Sequence, residues 1–209
     1  MPSATMRARR VGVLISGRGS NLQALVDAGR EGRLGGEVVV VVSNLASAGG
    51  LERARQAGVP ALVLDHRGAA REDYDAELAI RLGEYGVELV CLAGFTRRLT
   101  AAFLSAFPGR VLNVHPSLLP AFPGLQAQHQ ALEHGVRVSG ATVHLVDAGL
   151  DTGPILLQEA VPVHEDDDID TLSARILQAE HRLYPRAARL LLEGRCRVEG
   201  RRVRIMDAA

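Results

Sequence analysis

The sequence predicts an α/β fold: an open sheet, mostly parallel in the N-terminal half, with antiparallel strands and a long helix in the C-terminal half. Three observations predict it. Short β-rich runs alternate with amphipathic stretches as far as Ala93, the pattern of strands joined by crossover helices. Two later apolar runs, Ala141–Val146 and Ile155–Val163, have no helical pattern between them and so pair antiparallel. Asp170–Leu192 then keeps helical spacing, with Leu172, Ile176, Leu177 and Leu183 inward.

Each element has its own justification. Met1–Arg10 is polar and reads as a short disordered leader, with Met6 an alternative start. The run Val11–Ile15 is too short, and broken by Gly12, to be the core of a signal peptide, so it reads as strand one. Gly17–Asn21 is a glycine-rich turn, and Asn21–Arg30 a helix with Leu22, Leu25 and Val26 inward. Val38–Val42 is an unbroken run of valine, a strand covered on both faces. Leu51–Ala57 is a helix stopped by Gly58, and Ala61–Leu64 a strand. Glu72–Tyr85 is a helix with Tyr74, Leu78 and Leu82 inward, ended by Gly86, and Val87–Ala93 is a wholly apolar strand. To this point the alternation is that of a Rossmann-like open sheet. Val111–Val114 is a strand running into His115–Pro120, where Pro116, Pro120 and Pro123 forbid helix. Gln126–His134 is a short helix ended by Gly135, and Pro185 is expected to kink or interrupt the long helix. Cys196–Met206, with Gly200 central, is a small hairpin. Without repeats or linkers, residues 11–209 read as a single domain: a half at 11–110, a half at 111–193 and the hairpin at 194–209.

Composition excludes several chemistries. Twenty-four basic residues balance 24 acidic ones, so no field favours nucleic acid or an anionic membrane. No window approaches the roughly 20 apolar residues of a membrane span. Every basic residue is arginine, which rules out a Schiff-base lysine, a pyridoxal-phosphate anchor and a Walker phosphate loop. Trp is absent and aromatics make up 3%, against a base-stacking platform. Cys91 and Cys196 are too few for a disulfide framework. Cys91 lies among Leu89, Val90, Leu92 and Ala93 and reads as a buried thiol; the setting expected is reducing and cytoplasmic.

Three segments are candidates for chemistry. Gly17-Arg-Gly-Ser-Asn21 lets the backbone turn sharply and aims N–H groups of a helix N-terminus at an anion, with Ser20 or Asn21 free to cap the helix. The plain alternative is a tight strand–helix turn. A dinucleotide is not expected, because Asn21 replaces the third glycine and strand two ends in Ser43-Asn44 rather than an acid. Asn113 and His115, two apart on a strand, share a face and can both donate to one developing oxyanion; the alternative is a histidine satisfied by backbone. In Gly149-Leu-Asp151-Thr-Gly153, Asp151 would favour the imidazolium if it met His115 and is otherwise a turn former. The acidic run Glu165–Asp168 reads as a helix-dipole complement rather than a metal site. His144 alternates with Val143 and Leu145 and faces either a cleft or solvent, while Glu180-His181 reads as surface.

Taken together, Gly19-Ser20-Asn21, Asn113-x-His115-Pro-Ser-Leu-Leu-Pro120 and Asp151-Thr-Gly-Pro154 resemble the folate-dependent formyltransferases, over about residues 11–193. Ser43-Asn44, Leu51–Gly58, Leu92–Arg97 and Ala179–Pro185 look like the same family. The resemblance implies transfer of the formyl group of 10-formyltetrahydrofolate to the amine of glycinamide ribonucleotide in purine biosynthesis, with no metal. It implies that Gly19, Ser20 and Asn21 hold the ribonucleotide phosphate, and that Glu180, against the surface reading, contacts its glycinamide end. Asn113, His115 and Asp151 would be catalytic, with Asp151 raising the His115 pKa. Arg71, Thr96, Arg97, Arg98, Leu99, Asp147, Ala148, Gly149 and Leu150, with Asn113 and Asp151, would line the folate site. A monomer or homodimer is implied, with no nucleic-acid or membrane partner. One departure is Gln128, where the family commonly carries histidine; His129 stands one position on.

Other readings remain at this level. A methionyl-tRNA formyltransferase is expected to carry a further C-terminal nucleic-acid-binding domain, and a 10-formyltetrahydrofolate hydrolase an N-terminal regulatory one. A non-catalytic nucleotide-binding module would need only Gly17–Asn21.

Overall fold

The computed structural model describes residues 8–207. The first half comprises β1 (Arg9–Ile15), α1 (Ser20–Arg30), β2 (Gly36–Ser43), α2 (Gly50–Gln56), β3 (Ala61–Val63), α3 (Arg71–Glu84), β4 (Leu89–Leu92) and α4 (Ala101–Ala106). The second half comprises β5 (Val111–His115), α5 (Ala127–Glu133), β6 (Val138–Leu145), β7 (Ile155–Pro162), α6 (Ile169–Leu192), β8 (Cys196–Glu199) and β9 (Arg202–Ile205). Seven strands form one sheet in the order β3-β2-β1-β4-β5-β6-β7. The strands β3 to β5 of that order pair in parallel, whereas β6 and β7 join antiparallel, as expected of the Rossmann-like reading.

Period-two alternation sends each strand's apolar side chains to two cores. In β1, Val11, Val13 and Ile15 pack beneath α1 and α6 with Leu22, Leu25, Ala179 and Leu183. Leu14 points the other way, towards Tyr74, Leu78 and Leu82 of α3 and Phe103 of α4. Both layers are needed because the central strands are apolar on both faces, as the valines of β2 foretold.

Several expectations need correction. Arg9 and Arg10 are not part of a disordered leader. They belong to β1, where Arg9 pairs in register with Gly36, its guanidinium meets Glu88 at 2.7 Å, and Arg10 Nε donates to the Tyr85 carbonyl at 2.6 Å. Residues 1–7 of that leader lie outside the described residues. Pro185 neither ends nor interrupts α6, which runs from Ile169 to Leu192. Leu183, Tyr184, Pro185, Ala187 and Ala188 are all buried, and burial on both sides of the proline offsets its roughly 3 kcal/mol penalty. The six-residue α4 had no periodicity to reveal it; Thr100 caps it by accepting from Phe103 N–H. The acidic run behaves as the dipole reading requires. Asp168 caps α6 in a reciprocal pair with Thr171, and Asp167 meets Arg175 at 2.6 Å. The Arg175 guanidinium holds the Asp167 carboxyl well below the usual carboxylate range.

From β1 the chain crosses to β2 on one side and, later, β4 pairs on the other. Between such strands the carboxyl ends diverge and leave a crevice, and the candidate site lies beside it.

Candidate active site

Asn113 and His115 project from β5, and the antiparallel return of β6 sets His144 directly opposite Asn113. The loop after β6 folds back across this face and delivers Asp151. Its closure depends on Gly153, where a Cβ would run into the Leu145 carbonyl oxygen, and on Leu145 N–H donating to the Pro154 carbonyl at 2.9 Å. Asp151 itself has φ +54°, a left-handed conformation that few residues besides Gly, Asn and Asp tolerate. The spacing that could not place Asp151 beside His115 is thus resolved: their Oδ2 and Nδ1 atoms are 3.4 Å apart. Asp151 Oδ1 lies 3.5 Å from Asn113 Nδ2 and 3.6 Å from His144 Nε2.

The proline loop is fixed from behind. Buried Thr142 of β6 donates to the Ser117 carbonyl at 2.7 Å and accepts from Leu119 N–H at 3.0 Å and Gln158 Nε2 at 2.9 Å. So anchored, the loop presents Gly124 N–H to Asp151 Oδ2 at 2.8 Å and the Phe122 carbonyl to His115 Nε2 at 2.8 Å. A carbonyl only accepts, so His115 carries its proton on Nε2 and its Nδ1 faces the carboxylate.

Electrostatics revise one expectation. Burial pushes the His115 imidazole below its ordinary value, and the Phe122 carbonyl and Asp151 carboxylate, which pull upward, do not overcome it. Asp151 therefore favours the imidazolium, as foreseen, but does not on balance raise His115. For Asp151 burial pushes up, yet the bond from His144, the Gly124 N–H and the charge of His115 together hold the carboxyl below its ordinary value.

The second half of the site lies at the start of α1. Gly19 occupies the cap position at φ +76°, and a Cβ there would stand 2.6 Å from Gly50 Cα. Neither Ser20 nor Asn21 caps the helix. Asn21 Nδ2 is committed instead to Glu180 Oε2 at 2.6 Å, so the first-turn N–H groups keep their capacity for an anion. Glu180 is not a surface residue: it is 6% exposed, and burial pushes its carboxyl up to about 7. A signal for this was present, because Glu180 shares the helical spacing of Ile176, Leu183, Tyr184 and Ala187, all inward.

A cleft of about 380 Å³ lies over the first of these parts, and neither the α1 start nor Glu180 is in its lining. Thr96, Arg97, Arg98 and Leu99 form one wall, Asp147, Ala148, Gly149, Leu150 and Asp151 the other, with Asn113, His115 and His144 on the floor. Arg98 ties the walls by donating to the Ala148 carbonyl at 2.7 Å, and Arg97 lies 4.6 Å over the Tyr74 ring. Arg71 is outside this lining, exposed at the start of α3. Sequence reasoning missed Gln126, which lines the cleft, and the N–H of Gly124. His129 does not replace the missing histidine; its ring is turned to Glu133 at 3.2 Å. A larger hollow of about 750 Å³ lies at the opposite end of the sheet beside Arg9, Arg10, Glu37 and Glu88, whose charges pair with each other. Among the described residues no cluster of His, Cys, Asp or Glu is arranged to hold a metal, and no helix is long and apolar enough to cross a membrane.

Comparison with known proteins bears on these residues. The sequence profile of the family described as Formyl transferase matches residues 9–188. The chain is 47% identical over 187 residues to phosphoribosylglycinamide formyltransferase of Escherichia coli, covering 89% of this chain and 88% of that protein. It is 54% identical over 193 residues to trifunctional purine biosynthetic protein adenosine-3 of Drosophila melanogaster, covering 91% of this chain but 14% of that much longer protein. Its structure is similar to that of glycinamide ribonucleotide transformylase 1 from Symbiobacterium toebii, with a TM-score of 0.94, 61% identity and coverage of 96% and 95% of the two chains.

Proposed function

This chain belongs to the formyl transferase family, and we propose that it transfers the formyl group of 10-formyltetrahydrofolate to the amine of glycinamide ribonucleotide, a step of purine biosynthesis. The products are formylglycinamide ribonucleotide and tetrahydrofolate. The observation that carries this reading is the meeting of Asn113, His115 and Asp151 within 3.5 Å, brought from β5 and a loop 38 residues away.

The unprotonated amine attacks the formyl carbon. A carbon–nitrogen bond forms there, the bond to the folate nitrogen breaks, and the proton leaving the amine has to reach that folate nitrogen. Asn113 Nδ2 donates to the formyl oxygen as negative charge grows on it. Burial holds the His115 imidazole below its ordinary value, and Asp151, 3.4 Å from its Nδ1, lowers the cost of the imidazolium that relays the proton. No covalent enzyme intermediate and no metal is invoked. Gly19, Ser20 and Asn21 hold the phosphate through first-turn N–H groups. Glu180, buried beside Asn21, accepts from the glycinamide end. Thr96–Leu99 and Asp147–Asp151 bracket the pterin, and Arg71, outside the cleft, is left for the folate's outer carboxylates.

The test is absorbance-monitored consumption of a 10-formylfolate donor with and without glycinamide ribonucleotide, for wild type and His115→Ala. Consumption that depends on the ribonucleotide and is lost in the variant supports the proposal. Consumption without the ribonucleotide points to a hydrolase, and ribonucleotide binding without any consumption to a non-catalytic nucleotide-binding module.

A further inference from the structure

One buried hydroxyl outside the site just described joins its two halves. Ser16 follows β1 and precedes the glycine turn. Its Oγ donates to Asn44 Oδ1 at 2.6 Å, beyond the end of β2. The same oxygen accepts from Thr96 N–H at 3.0 Å and from the Thr96 hydroxyl at 3.2 Å. Its backbone N–H donates to the Gly94 carbonyl at 3.1 Å. The Ser16 hydroxyl thus spends its proton and both lone pairs on two other loops, and the side chain offers none to a ligand.

Those loops belong to different ligands. The turn that Ser16 leads into is the anion-binding one, and Thr96 begins the cleft wall that ends at Leu99. Asn44, 2% exposed, anchors the hydroxyl from the far side, and its own Nδ2 reaches His66 Nδ1 at 3.3 Å. A shift of either loop on binding therefore changes the geometry at the other through a single oxygen.

We infer that Ser16 is a positioning residue that couples the two ligands, so that the ribonucleotide binds more tightly once the folate wall is occupied, and the reverse. The inference rests on the formyl-transfer reading. Linkage requires the coupling to be the same in both directions. Ser16→Ala strands Asn44 Oδ1 and the Thr96 N–H together, and lets each loop order independently.

The test is calorimetric titration of glycinamide ribonucleotide into the protein, alone and saturated with tetrahydrofolate, which has no formyl group to transfer. The wild-type ratio of the two Kd values is expected to be about fivefold or more, the lower end of typical couplings. In Ser16→Ala it should fall to within about twofold of unity. Thr96→Val keeps the N–H bond and removes the hydroxyl, and should give an intermediate ratio; it also decides the matter if Ser16→Ala does not fold. General loosening would weaken both affinities and leave their ratio alone, so the ratio isolates positioning. A wild-type ratio of unity, or variants that keep the full ratio, overturns the inference. Wild-type turnover with the formyl donor is measured beside it: turnover without coupling removes the role of Ser16 and leaves the reaction, whereas binding of neither ligand removes both.

Discussion

Replacing Glu180 by Gln removes a titration from the interior while keeping an oxygen to accept from Asn21 Nδ2, now 2.6 Å from Oε2. Burial lifts the carboxyl from 4.5 to about 7, and the Asn21 bond offsets only part of that rise. Unfolding returns the group to near 4.5, so between the two values the folded chain binds the extra proton. A folded value above the unfolded one means that the stabilisation is fully present below about pH 4.5 and is lost as pH rises through about 7. At roughly 1.4 kcal/mol per pH unit, the whole interval amounts to about 3 kcal/mol. Urea unfolding of wild type and Glu180→Gln from pH 5 to 8, at fixed salt, reads the effect. Wild-type stability minus that of the variant should fall by about 2–3 kcal/mol over the range, the titrations common to both proteins cancelling. A difference that stays level would mean that the carboxyl is already ionised at pH 5 in the folded chain, and would refute the burial argument.

Asp151→Asn should lower kcat about 10²- to 10³-fold, the size of losing one group that stabilises transition-state charge, with folding by circular dichroism preserved; near-normal turnover would remove Asp151 from the chemistry. Gly19→Ala puts a Cβ at φ +76° and 2.6 Å from Gly50 Cα, so the ribonucleotide KM should rise about tenfold, corresponding to ~1.4 kcal/mol. An unchanged KM would show that the turn does not hold the phosphate. Thr142→Val strands a buried carbonyl and two donors and should cost about 2–3 kcal/mol in urea unfolding. A loss below about 0.5 kcal/mol would mean that the proline loop is held some other way.

The fold was legible wherever one local rule decided an element. The β2 valines announced a doubly covered strand, Gly58, Gly86 and Gly135 ended helices, and the missing helix between β6 and β7 announced their antiparallel pairing. Failures came where distant contacts overrode local preference. Burial of α6 overrode Pro185, sheet pairing claimed Arg9 and Arg10, and α4 was too short for periodicity to register. In the site, Asn113 and His115 were readable because a strand's own geometry pairs them. The meeting with Asp151 was not readable from spacing, because it depends on Gly153 folding a loop back across the sheet. Nor could spacing reveal that burial outweighs Asp151 in setting the His115 charge, since desolvation belongs to the assembled cleft.

The antiparallel return of β6 beside β5 does more than close the cleft. His144 Nδ1 lies 2.8 Å from the Leu145 carbonyl, which can only accept, so Nδ1 carries a proton and the ring is held with Nε2 towards Asn113 and Asp151. Asn113 stands opposite with its amide 3.3 Å from that Nε2 and 3.5 Å from Asp151 Oδ1. The carboxylate oxygen accepts, and only the NH₂ end of an amide satisfies it, so Asn113 is held with its donors towards the carboxylate and the cleft. A backbone carbonyl thus fixes the His144 ring, the carboxylate orients the amide, and in the reaction proposed above the amide would meet the formyl oxygen already oriented as a donor. Orientation fixed before reaction is what gives a donor its leverage on developing charge, because nothing has to reorganise as the charge appears. Had β6 run parallel to β5, the register that sets His144 opposite Asn113 would not exist. In the reaction proposed above, the reversal of the sheet therefore serves the chemistry as well as the fold.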